Sequence, residues 1–347
     1  MLSKRFEYDG KECERLNELQ LKAKKEIKEK IDNGFYQFEE INCPICGSNE
    51  KLEISQKDKY GLPHQISLCK NCGFLYASKR LTNDSYTDFY IHHFNDLDIG
   101  YSMGFDISFN DQYNNAKNAI YPFIKDKIDL SKLLNVLEIG CSSGGAMQYF
   151  KEKGYNVVGL DLGIDAVEYG KNRGLNLINI DLPDFQTDIK FDLVIYNSVL
   201  EHIVDLKSHF EKLQEILKDD GYIFVRVPGI KNLHNNSFHK FDLLNFITLP
   251  HIYYFSVTTL TNLMNKYGFK KVKANEIIFS LYQKDNNVKF NIQNDYDEVL
   301  KYIEKQDNIL KIKIKNILFK IKMIVREVLV GVGLLNIIKR LLGRKVV

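Results

Sequence analysis

The sequence contains no apolar run that could cross a bilayer as a helix. The longest charge-free stretch of its C-terminal part, Val328–Ile338, falls well short of the roughly 20 residues a span requires. The N-terminal stretch MLSKRFEYDGKECERL lacks the apolar centre of a secretory signal, so a cytoplasmic chain is expected. A strong charge of either sign is missing too: 48 Lys and Arg against 45 Asp and Glu leave +3, which gives no argument for nucleic acid as a partner. No internal repeat is found. Cysteine is sparse, but four of the six fall into two CxxC pairs, Cys43 with Cys46 and Cys69 with Cys72. In an unsecreted chain that pattern points to metal rather than to disulfides.

What is present describes an ordinary globular protein. With 44% hydrophobic and 27% charged residues, 347 residues have room for one large domain and one or two small ones, and disorder is excluded. Residues 11–31 read as a polar packing helix with a thin apolar stripe at Leu16, Leu19, Ala23 and Ile27. Short strand-like runs then lie between the cysteine turns, and a helical segment follows around Asp111–Asp126. From Leu133 onward, VLEIG, YNVVGLD, NLINID, FDLVIYNSVL and GYIFVRVP alternate with GGAMQYFKEKG, IDAVEYGKNRG and LKSHFEKLQEILKDD. That alternation is the mark of βαβ units and a mainly parallel sheet.

The turn VLEIGCSSGGAM asks which cofactor it serves. A dinucleotide turn would read GxGxxG, but here Ser142 stands where the middle glycine would be, and Glu138 precedes Gly140 by two. That argues against NAD. A glutamate at the end of a buried strand is costly unless it has a partner, and a polar, cationic ligand without phosphate would supply one. VLEIGCSSGG resembles the first motif of class I S-adenosylmethionine (SAM)-dependent methyltransferases, and the match continues in order through VVGLD, INIDLPDF, FDLVIYNSVLEHI and LPHIYYFS, covering about Tyr113–Phe279. The resemblance implies a Rossmann-like α/β fold with a mainly parallel seven-stranded sheet. It also implies cofactor contacts from Glu138, Gly140, Cys141, Ser142, Gly144, Asp161, Leu162, Asp181, Leu182, Asn197 and Ser198. Tyr113 or Lys117, upstream of the first strand, would reach the cofactor's carboxylate.

If the methyl acceptor is a hydroxyl, a base must take its proton, and a histidine near neutral pKa suits the task. His202, in the LEH turn, and His251, in the PHIYYF segment, are the candidates. The acceptor expected from the resemblance is a small molecule, a sugar nucleotide or a lipid-linked glycan, methylated on oxygen. RNA is the alternative substrate, and a catalytically silent SAM-binding module is the other alternative. YNSVLEH is not the Asn-Pro-Pro-Tyr type of motif that holds a planar base, so nucleic-acid base methylation is disfavoured.

CPICG and CKNCG stand 22 residues apart, the spacing of two zinc knuckles. Four thiolates satisfy a tetrahedral Zn2+ and leave no open position, so the expected metal is structural. Cys13 and Cys141 lack partners and read as packing residues. The basic residues collect at the end: Lys311–Val347 holds ten Lys or Arg and a single acid, Glu327. There Leu310, Ile314, Ile317, Ile321, Ile324 and Val328 share one helical face, and LLNIIKRLLGRK follows a VGVG break. This is a basic amphipathic tail, suited either to peripheral contact with the inner membrane face or to packing on protein. The expected domains are a helical segment 1–40, a zinc ribbon 41–80, a linking helical segment 81–125, a methyltransferase domain 126–280 and the tail 281–347. Neither the oligomeric state nor the acceptor is readable from the sequence.

Overall fold

The computed structural model describes residues 1–99 and 104–331. Asn17 and Gln20 form a reciprocal capping box, which starts helix α1 at Glu18 and carries it to Asp32; residues 11–17, expected to be helical, stay outside it. Ala23 and Ile27 are the buried part of its stripe. Strands β1 (Phe38–Glu40), β2 (Lys51–Lys57), β3 (Pro63–Cys69) and β4 (Leu75–Leu81) then form an antiparallel sheet in the order β1-β4-β3-β2. Helix α2 (Asn83–His92) leaves that sheet, and α3 (Phe105–Asn115) continues through a π-type turn into α4 (Tyr121–Ile124).

The strand and helix alternation appears where the apolar runs place it: β5 (Asn135–Ile139), α5 (Gly145–Glu152), β6 (Asn156–Asp161), α6 (Ile164–Lys171), β7 (Leu177–Asn179), β8 (Phe191–Asn197), α7 (Leu206–Ile216) and β9 (Leu217–Arg226). The run LKDD, expected to end α7, instead opens β9, because Leu217 pairs with Phe191. After α8 (Leu243–Phe246) and β10 (Tyr253–Tyr254) come α9 (Val257–Lys266), β11 (Phe269–Ala274), β12 (Phe279–Lys284), α10 (Tyr296–Gln306) and α11 (Ile309–Gly331). The large sheet has the order β11-β12-β9-β8-β5-β6-β7, and β12 alone runs against the rest.

Successive residues of its inner strands feed opposite cores, as strand geometry requires. Val136, Leu193, Ile195 and Phe224 pack towards α5 and the α3–α4 run, whereas Leu137, Val194, Tyr196 and Val225 join a core that is continuous with the N-terminal sheet. That continuity has a backbone basis, since β10 belongs to the second half of the chain yet pairs with β4. The segment leading into β10 is held by the N-terminal sheet residue by residue. Lys59 N donates to the Ile247 carbonyl, Leu249 N to Asp58, His64 Nε2 to the His251 carbonyl and Ala77 N to the Ile252 carbonyl, all at 2.8–3.1 Å. The second tail segment expected from LLNIIKRLLGRK lies outside the described residues.

Candidate active site

In an open α/β sheet the strand order reverses at one point, and there the turns at the carboxyl ends of the strands diverge to leave a crevice. Here it lies between β5 and β8. Glu138 and Gly140 end β5, Asp161 ends β6, Asp181 follows β7, and Asn197 and Ser198 end β8, so the sequence-predicted cofactor residues meet at one edge. Gly140 has φ +67°, and a Cβ there would lie 2.3 Å from a Val199 methyl. Ser142 (φ +46°) and Ser198 (φ +61°) also adopt the left-handed conformation that residues with side chains avoid. Strain of this kind gathers at ligand sites; Ser142 lies in the turn and Ser198 follows β8.

Two acids give the crevice its electrostatics. Glu138 is 3% exposed and its Oε2 has no hydrogen-bond partner; burial first, and then the nearby Asp161, hold its carboxyl well above the usual range. Asp161 is also pushed up by burial, opposed by backbone amides. Its Oδ2 accepts from Ser142 N and its Oδ1 from Gly163 N, each at 2.7 Å, which leaves each oxygen a second lone pair. Asp181 accepts from Leu182 N at 2.8 Å. Leu182 and Cys141 are buried, Leu162 is exposed beside Asp161, and Asn197 accepts from the Arg226 guanidinium at 3.3 Å.

Tyr113 and Lys117 are not brought to this edge. The Tyr113 hydroxyl donates to Glu152 at 2.6 Å, and Lys117 is exposed on the surface. Their neighbour Gln112 occupies the place instead: its Oε1 accepts from Gly145 N at 3.0 Å, satisfying the first amide of α5. The N-terminus of α5 thus keeps one free amide fewer. A Cβ on Gly145 would lie 2.0 Å from the Phe109 carbonyl oxygen, so this glycine lets α3 press against the turn.

Next to the strand ends lie His202 and His251, with ring centroids 4.9 Å apart and edge to face. The Nδ1 of His202 is 2.8 Å from the Pro250 carbonyl oxygen. A carbonyl only accepts, so Nδ1 carries the proton and Nε2 keeps a free lone pair. Burial lowers the pKa of both rings, in spite of Asp98, so both are neutral near pH 7. Glu201 completes the group; its carboxylate and one nitrogen from each ring lie within 4.8 Å of one another.

Residues 105–274 match the model of a family described as a methyltransferase domain. That match falls on the strand order, the glycine turn and the acid pair just described. This part of the chain is a methyltransferase domain. No curated protein matches it. Among solved structures, it is similar to Streptomyces venezuelae DesVI (20% identity, 37% of this chain and 58% of that one, TM-score 0.31). It is also similar to the PH0226 protein of Pyrococcus horikoshii OT3 (18%, 50% and 91%, 0.41) and to a SAM-dependent methyltransferase from Archaeoglobus fulgidus (17%, 52% and 100%, 0.40). The chain thus spans less than two thirds of the first of these.

The residues of this methyltransferase fit SAM. An unpartnered buried glutamate, a glycine turn that any Cβ would obstruct, and a second acid with spare lone pairs suit a cationic nucleoside, and the turn lacks the middle glycine that a pyrophosphate would need. Sequence reasoning missed several residues beside the strand ends. Both carboxylate oxygens of Glu201 are buried without a partner, and burial pushes its pKa up to about 8, against the pull of Arg226. Its signal was in the LEH turn already. Tyr86, Tyr90 and Phe94 come from the N-terminal half: Tyr86 donates to the Pro250 carbonyl at 2.7 Å, Tyr90 stacks on Phe94 at 4.9 Å, and Phe94 meets His202 edge-on at 5.6 Å. Their spacing of four was the readable sign.

Around the N-terminal sheet, Cys43, Cys46, Cys69 and Cys72 bring their sulfurs within 4.8 Å of one another, and none is in a disulfide. Gly47 N donates to the Cys43 carbonyl and Gly73 N to the Cys69 carbonyl, closing two equivalent knuckles with left-handed glycines. This geometry is that of a four-thiolate metal site.

Proposed function

We propose that this methyltransferase transfers a methyl group to a hydroxyl of a small molecule, a sugar or a cell-surface glycan precursor, and that its four cysteines hold a structural Zn2+. The observation that carries oxygen as the acceptor atom is the tautomer of His202, which leaves an unprotonated Nε2 beside the strand ends. Bound SAM supplies an electrophilic methyl group. Glu138 and the Gly140–Gly144 turn would hold its amino-acid end, Asp161 its ribose hydroxyls, and Asp181 with Leu182 its adenine edge. His202 would take the acceptor's proton at Nε2, and the Pro250 carbonyl, itself fixed by Tyr86, holds the ring in that tautomer. Phe94 and Tyr90 exclude water from the same side. In this reading the chain's own contribution is alignment and proton removal.

Calorimetry with S-adenosylhomocysteine on the metal-replete chain tests the cofactor site; no heat would refute it. A labelled-methyl screen against sugar nucleotides, lipid-linked glycans and RNA then tests the acceptor. Label on RNA alone would replace the proposed substrate class, and label on none, with binding intact, would leave a silent SAM-binding module.

A further inference from the structure

Helix α11 has two faces of opposite character. Ile312, Lys315, Asn316 and Phe319, at helical spacing, face the protein: Lys315 donates to the His234 carbonyl, Asn316 to the Lys240 carbonyl at 2.9 Å, and Phe319 meets Phe241 edge-on at 5.7 Å. Turned away from that seat are Leu310, Ile314, Ile317, Ile321, Ile324 and Val328. Each is at least half exposed, Leu310 at 70% and Ile324 at 60%. A continuous aliphatic stripe left in water forgoes roughly 25 cal/mol for each Å² it could bury, and such patches mark contact surfaces.

The charges beside the stripe choose the partner. At 3.6 residues per turn, Lys311 and Lys322 fall along one edge of the stripe and Lys313 and Lys320 along the other. All four are exposed, and Glu327 is the one acid between Ile309 and Val328. Two copies pairing through this stripe would set lysine rows against lysine rows, with little acid to offset them. An anionic bilayer surface instead offers phosphate to both rows and acyl chains to the stripe. No helix of the described residues is long and apolar enough to cross a membrane, so α11 lies on the surface. The loop that seats α11 also exposes Phe238, at 81%, a second apolar group on the same part of the molecule.

We infer that α11 is an in-plane docking helix for an anionic lipid surface. The inference is independent of the acceptor, and its experiment contains none. The full chain is sedimented with phosphatidylcholine vesicles that either contain or lack phosphatidylglycerol. Binding to the anionic vesicles only, weakening with salt, is expected. Ile317→Glu with Ile321→Glu should abolish it, and Lys313→Gln with Lys320→Gln should weaken it about fivefold per lysine. These side chains are exposed, so the thermal midpoint should not move. The inference is overturned by the absence of sedimentation, by equal binding to neutral vesicles, or by light scattering that shows a lipid-independent dimer broken by the glutamates.

Discussion

In the proposed mechanism His202 acts through a nitrogen whose freedom is set by a carbonyl 48 residues away in the chain. Replacing it with alanine should lower turnover by about 100-fold or more while S-adenosylhomocysteine affinity stays within about twofold. Unchanged turnover with the true acceptor would remove the base role. Because burial disfavours the imidazolium, the acid limb of kcat/KM should lie below the ordinary histidine range, with activity lost as pH falls through it. Glu201 gives a second prediction at this scale. Its carboxyl is pushed up to about 8, so between the ordinary glutamate range and pH 8 the folded chain keeps a proton that the unfolded chain releases. Stability therefore falls as pH rises through that window. Glu201→Gln, which has no proton to lose, should raise the melting temperature at pH 8 and change it little at pH 5; equal shifts at both would refute the assignment.

The glycine turn between β5 and α5 divides into two functions that substitution separates. At Gly145 an added Cβ meets a backbone oxygen at 2.0 Å, which cannot rotate away, so Gly145→Ala should cost about 1–3 kcal/mol in denaturant unfolding by displacing α3. At Gly140 it meets a side-chain methyl, and the left-handed backbone adds about 1–2 kcal/mol. Gly140→Ala should therefore show its larger effect in S-adenosylhomocysteine affinity, and equal affinity losses in both variants would contradict the division. The turn was legible because its composition is local: glycine and serine at fixed offsets from an acid. The contribution of α2 and the residues just after it was not, because the stripe of Tyr86, Tyr90 and Phe94 reads the same whether it faces a core or a site. The same limit explains Gln112, one residue from the expected Tyr113; which helix face meets the turn depends on how α3 packs.

In the whole molecule the cysteine module and the segment that carries Pro250 and His251 form one structure. Segment 247–253 hangs on Asp58, Lys59, His64, Ala77 and Arg80, so what stabilises the N-terminal sheet also positions Pro250 and His251. Cys43→Ser, or a chelator acting on the proposed zinc site, should lower the melting temperature. Amide-exchange protection should be lost together in β3, β4 and residues 247–255, and S-adenosylhomocysteine binding should be kept. Undisturbed exchange at 247–255 would separate the module from the site. The sequence by itself determined the α/β class, most strands of the large sheet, the cysteine knuckles, the glycine turn with its acid pair and the amphipathic pattern of α11, because each is written in spacings of a few residues that fix backbone conformation or face. Only the tertiary structure decided that β10 joins the N-terminal sheet, that α2 brings Tyr86 to His202, and that α11 turns its aliphatic stripe outward. Those are pairings between surfaces distant in the chain, and local pattern carries the chemistry of a surface without naming what it meets.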